Sequence, residues 1–127
     1  MKITGKTKIC MSIGDPIMHS VSPIMHNAGY QAIEIDNDFI YVACHVKSGE
    51  LKNCIDGIRA MNIRGASCTM PHKIEVMQYL DEIDEIAQKI GAVNTIVNDN
   101  GVLKGFNTDW LGIVKSLEKI TSLDNKS

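Results

Sequence analysis

Two hydrophobic periods take turns along this chain, and their order narrows its architecture more than any other feature. Lys8 to Gly14 is a short apolar run ended by Gly14-Asp15-Pro16, the pattern of a buried strand. Ser22-Pro23 then opens a helix, with Ser as N-cap and Pro at a position that needs no backbone donor, running to about Ile35. Asp36-Asn37-Asp38 breaks it, and Phe39 to Val46 alternates as a second strand. Leu51, Cys54, Ile55, Ile58 and Met61 form the i, i+3, i+4, i+7 stripe of a helix packed on a sheet. Ala66 to Thr69 is a third strand, and Pro71 starts a helix through Gln78. Asp81 caps a further helix with Ile83, Ile86, Ala87 and Ile90 on one side and Gly91 as its stop.

Val93 to Asn98 and Val102 to Phe106 read as a hairpin turned at Asp99-Asn100-Gly101. Thr108-Asp109 caps a last helix that carries Trp110, Leu111, Val114 and Leu117. Strand–helix–strand–helix–strand predicts an α/β fold: a mostly parallel, mixed sheet with helices on both faces, in three α/β/α layers. The terminal hairpin supplies the antiparallel strand. One domain over residues 1–120 accounts for the pattern, followed by a polar linker over 121–127.

Composition removes several function classes. Net charge is −2, with acids and bases interspersed, so there is no basic patch for nucleic acid. No apolar stretch approaches the ~18 residues of a membrane helix, and Met1 to Lys6 does not resemble a signal peptide. Cys10, Cys44, Cys54 and Cys68 show no CxxC spacing and no clustered histidines, which disfavours a metal site and suits reduced thiols. The expected setting is cytoplasmic, with a small molecule as partner.

In sheets of this kind ligands sit beyond the carboxyl ends of the strands. Three polar groupings fall there. Ser20-Val21-Ser22-Pro23 puts two hydroxyls at a helix N-terminus, a natural seat for an anion, although Ser22 could serve only as a cap. Thr69-Met70-Pro71-His72-Lys73 puts Lys73 in a first helical turn, where the dipole disfavours a cation and favours proton release; a lysine whose stem reaches water is the plain alternative. Asn107-Thr108-Asp109, with Asn94-Thr95 on the neighbouring strand, offers a carboxylate to hold an ammonium and an amide to bond a hydroxyl, or simply another cap.

Each grouping alone is weak, but their joint order is specific. Gly14-Asp15-Pro16, His19-Ser20-Val21-Ser22-Pro23, His26-Asn27, Thr69 to Lys73, Ile90 to Thr95 and Gly105 to Asp109 together resemble the shikimate dehydrogenase family, from Ile9 to about Leu117. The resemblance implies NADP-dependent, reversible reduction of 3-dehydroshikimate to shikimate in aromatic amino acid biosynthesis. It implies that Ser20 and Ser22 hold the substrate carboxylate, that Thr69 and Asn94 contact ring hydroxyls, and that Lys73 and Asp109 are the catalytic pair. It also implies a separate Rossmann domain for NADP, and leaves room for a homodimer.

Two departures stand out. Ser67-Cys68 occupies a place where the family commonly has Asn-Val, and no G-x-G-x-x-G follows a strand in these residues. A substrate-binding domain not competent alone for hydride transfer is therefore the expected reading, with 121–127 leading toward the dinucleotide-binding domain. A stand-alone binding module for shikimate or quinate, a quinate/shikimate dehydrogenase domain, and an unrelated substrate on the same architecture are the alternatives.

Overall fold

The computed structural model describes residues 1–109 and residue 117; the expected last helix and polar linker fall almost wholly outside them. Six strands, β1 (Lys8–Gly14), β2 (Phe39–His45), β3 (Gly65–Cys68), β4 (Glu82–Ile83), β5 (Thr95–Asp99) and β6 (Val102–Phe106), form one sheet in the order β2-β1-β3-β5-β6-β4. β1 pairs in parallel with β2 and β3, and β4 with β6, whereas β5 is antiparallel to β3 and β6. The expected mixed α/β sheet is what forms.

Alternation along β1 sorts the two faces. Met11 and Ile13 point into a core shared with Leu51, Ile55 and Ile58 of helix α2 (Leu51–Ala60) and Ala87 of helix α3 (Glu85–Ile90). Helix α1 (Ser22–Ala32) lies against β2 through the opposite face, where Asn27 bonds the backbone of Tyr41 and His26 stacks on its ring. The hairpin turn has Asn100 at φ 53° and Gly101 at φ 92°, the pair of positive angles that a two-residue turn matching strand twist requires. Gly91 ends α3 in the left-handed region, as the sequence predicts.

The structure corrects three local expectations. Val21, not Ser22, stands at the N-cap of α1, and Ser20 Oγ accepts the Ser22 N–H at 3.2 Å. Pro71 starts no α-helix: a turn runs to Ile74 and a 3-10 segment follows over Glu75–Tyr79, so Lys73 meets no helix dipole. Asp81 does not cap a helix. Its carboxylate accepts the Leu103 N–H at 2.8 Å and binds Arg59 at 3.1 Å, Glu82–Ile83 join the sheet, and Asp84 caps α3 instead.

Candidate active site

The chain leaves β1 toward β2 on one side and returns to β3 on the other, so a crevice opens at the carboxyl ends of β1 and β3. A cleft of about 320 Å³ lies there, lined by Ser12 and Ser67 from the strands, by His19, Ser20 and Thr69 from the loops and by Ser22 at the start of α1. The two loops are laced together: Thr69 N–H donates to Ile13 O at 3.0 Å and Asp15 N–H to Met70 O at 3.1 Å. Gly14 permits this approach, because a Cβ there would collide with the Thr69 methyl. The Asp15–Pro16 and Met70–Pro71 peptides, one in each loop, are cis.

The cleft meets the start of α1, whose first turn contains no acidic residue. The positive end of the helix dipole therefore faces it with no competing carboxylate, although Pro23 offers no N–H and the Ser22 N–H is already held by Ser20 Oγ. Ser20 Oγ uses a lone pair on the Ser22 N–H and keeps its own hydrogen to donate. Such a pocket suits a carboxylate. Cys68 also lines the cleft, but burial pushes its thiol up to about 12, so it stays protonated and is no nucleophile.

Lys73 and Asp109 meet beside this cleft rather than within its lining. Lys73 Nζ lies 3.0 Å from Asp109 Oδ2, with the lysine about one-third exposed. Asn107 positions the aspartate: it is buried, its amide donates to Ala92 O at 3.1 Å and its Oδ1 accepts the Asp109 N–H at 3.0 Å. Lys73 O in turn accepts the Val93 N–H at 2.8 Å. The pair is thus anchored by backbone on both sides and can exchange a proton with a ligand oxygen.

Asn94 is more committed than the sequence suggests. Its Oδ1 accepts from Thr95 Oγ1 at 2.9 Å and from the Thr108 N–H at 3.0 Å, and its Nδ2 donates to Thr108 Oγ1 at 3.1 Å, which leaves one amide hydrogen. Its backbone O accepts the Cys68 N–H at 2.8 Å, next to Thr69. Ser20, Ser22 and Thr69 therefore share one cleft, Lys73 and Asp109 form a second cluster, and Asn94 borders both segments through backbone and side chain.

Several residues escaped sequence reasoning. Asn107 read as part of a cap, and its buried structural role has no local signature. His72 is buried, with its Nε2 2.6 Å from Val46 O. His45 lies 2.8 Å from Asp15 and, with the Ser48 N–H, holds that carboxyl below its usual range at the foot of the Ser20 loop. Ser12 had a signal: a hydroxyl inside the apolar run Ile9 to Ile13.

Comparison with known proteins bears on the family and the fold. The model of the shikimate dehydrogenase substrate binding domain matches residues 12–96. A shikimate dehydrogenase (NADP(+)) from Methanosphaera stadtmanae is 50% identical over 125 residues, covering 98% of this chain and 44% of the relative. The chain thus spans less than half the length of such relatives. The crystal structure of shikimate 5-dehydrogenase from Listeria monocytogenes in complex with shikimate and NAD superposes with a TM-score of 0.87 at 42% identity, over 95% of this chain and 41% of that one. A ligand-free 5-ketofructose reductase of Gluconobacter sp. strain CHM43 gives 0.84 at 34% identity, over 92% and 42%. By sequence and by fold, this chain belongs to the shikimate dehydrogenase family, through its substrate-binding domain.

Proposed function

We propose that this chain binds shikimate and 3-dehydroshikimate and supplies the proton handling for their NADP-dependent interconversion in the cytoplasm. The observation that carries the reading is the pairing of an anion-suited serine cleft with a Lys73–Asp109 contact of 3.0 Å at its side. Ser20 and Ser22 take the carboxylate, and Thr69 and the spare amide hydrogen of Asn94 take ring hydroxyls. Lys73 gives a proton to the reacting oxygen or removes one, and Asp109 holds the ammonium in place and shares the proton. The sequence holds no G-x-G-x-x-G, and among the described residues no glycine-rich turn joins a strand to a helix to cradle a pyrophosphate, so these residues do not fit NADP and the reading gives the hydride step to a dinucleotide-binding domain.

Calorimetry tests the substrate first. Shikimate should bind, and quinate or an unrelated acid should bind more weakly; a chain that ignores shikimate at millimolar ligand overturns the proposal. The likeness to a 5-ketofructose reductase makes a polyol-derived ketone the competing substrate, and its tighter binding would favour that reading. In a form carrying a dinucleotide-binding domain, Lys73→Ala should cut kcat by about 10²–10⁴-fold with little change in KM. Near-normal turnover would remove Lys73 from its role.

A further inference from the structure

Ser12 sits on β1 between Met11 and Ile13, which face the apolar core, while its own side chain faces the opposite way and lines the serine cleft. The residue is only 5% exposed, and its Oγ is closed to solvent with no hydrogen-bond partner among the described residues. Buried hydroxyls are nearly always paired, because an unpaired one loses its bonds to water and gains nothing. The neighbouring hydroxyl does not relieve it. Ser67, directly across the β1–β3 pairing, accepts from Tyr41 Oη at 3.0 Å and is not bonded to Ser12.

We infer that Ser12 is a ligand-binding residue, its hydroxyl donating to a carboxylate oxygen of the bound acid and completing a three-serine seat with Ser20 and Ser22. This rests on the proposed function. A carboxylate offers about four lone-pair sites, more than two single-hydrogen donors can fill. Lys73 and Asp109 do not line this cleft, so the reacting oxygen lies outside it, whereas Ser20 and Ser22, the proposed carboxylate ligands, line it together with Ser12. The strand fixes the Cα of Ser12, and a rotation about one side-chain bond is enough to re-aim the hydroxyl.

Ser12→Ala tests the inference in the full 127-residue chain, because it deletes an unsatisfied atom and leaves the strand unchanged. Its thermal midpoint without ligand should equal or exceed that of the unaltered chain. Its Kd for shikimate should rise roughly tenfold, the loss typical of a hydrogen bond to a charged group. The methyl ester of shikimate, which lacks the negative charge, should bind both chains about equally. Unchanged shikimate affinity in Ser12→Ala, or a lowered midpoint with affinity preserved, would overturn the inference and leave the proposed function intact. An unaltered chain that binds no shikimate would overturn both.

Discussion

Helices α1 and α2 are nearly equal in length and each follows a strand of the same parallel set, yet they are held by different physics. α2 fully buries Leu51, Ile55 and Ile58 in the core. α1 buries no residue; Ile24 and Met25 are exposed on it, and its grip is directional. Asn27 Nδ2 donates to Tyr41 O at 2.8 Å and its Oδ1 accepts the Tyr41 N–H at 2.9 Å, while the His26 ring stacks on Tyr41 at 4.0 Å. β2 is an edge strand, so the Asn27 amide occupies backbone groups that a further strand would otherwise take. Apolar volume fixes the helix that supports the fold. Hydrogen bonds fix the helix that begins at Ser22 and follows Ser20, and they set its position along the strand more tightly than a greasy contact could.

The sharpest way to break this contrast is to hollow out α2. Ile55→Ala removes a fully buried branched side chain from a close-packed core and should cost about 2–5 kcal/mol of unfolding free energy. Urea titration measures it. Shikimate affinity of the folded fraction should change little, since Ile55 reaches none of the cleft. A loss below ~1 kcal/mol would mean that the site collapses freely and that α2 is not the anchor described.

Asn27→Ala should show the converse. Two backbone groups of Tyr41, a residue only 4% exposed, lose their partner, so the cost should be about 1–3 kcal/mol. Affinity for shikimate should fall severalfold because Ser20 and Ser22 lead directly into α1. An affinity unchanged within error would show that the loop, not the helix, positions the serines.

The same division explains what could be read before the structure. The stripe Leu51, Ile55, Ile58 is a matter of period and burial, both visible in residue types, and it folds as predicted apart from the exposed Met61. Asn100-Gly101 and Gly91 are legible because positive φ is a local demand. Lys73 and Asp109 are linked in the sequence only by motif order, since a separation of 36 positions hides a 3.0 Å contact. Asp81 reads as a cap in the sequence because its true partners, the Leu103 N–H and Arg59, are 22 positions away in each direction. The cap expected at Ser22 falls on Val21 because the helix begins one residue earlier, a difference that residue types alone do not fix. Residues that act through volume announce themselves in hydropathy; residues that act through a partner do so only when the partner is near in sequence.

The smallest effect expected concerns that same Asp81, and it separates the two halves by pH. The Leu103 N–H and the Arg59 guanidinium hold its carboxyl below the usual 3.8. A folded value below the unfolded one gives stabilisation that is complete above the unfolded pKa and lost as pH falls through the folded value. The side chain is 44% exposed, so solvent screens much of this contribution. Asp81→Asn should therefore lower stability slightly at neutral pH, and the difference from the unaltered chain should shrink as pH drops below about 4. The bond partners of Asp81 lie on α2 and β6, in the half that packs against the core, so this acid-sensitive step should leave shikimate affinity at pH 7 untouched. Were affinity to fall with stability in Asp81→Asn, the α2 side of the sheet would be coupled to the cleft, and the contrast between the two helices would be one of degree.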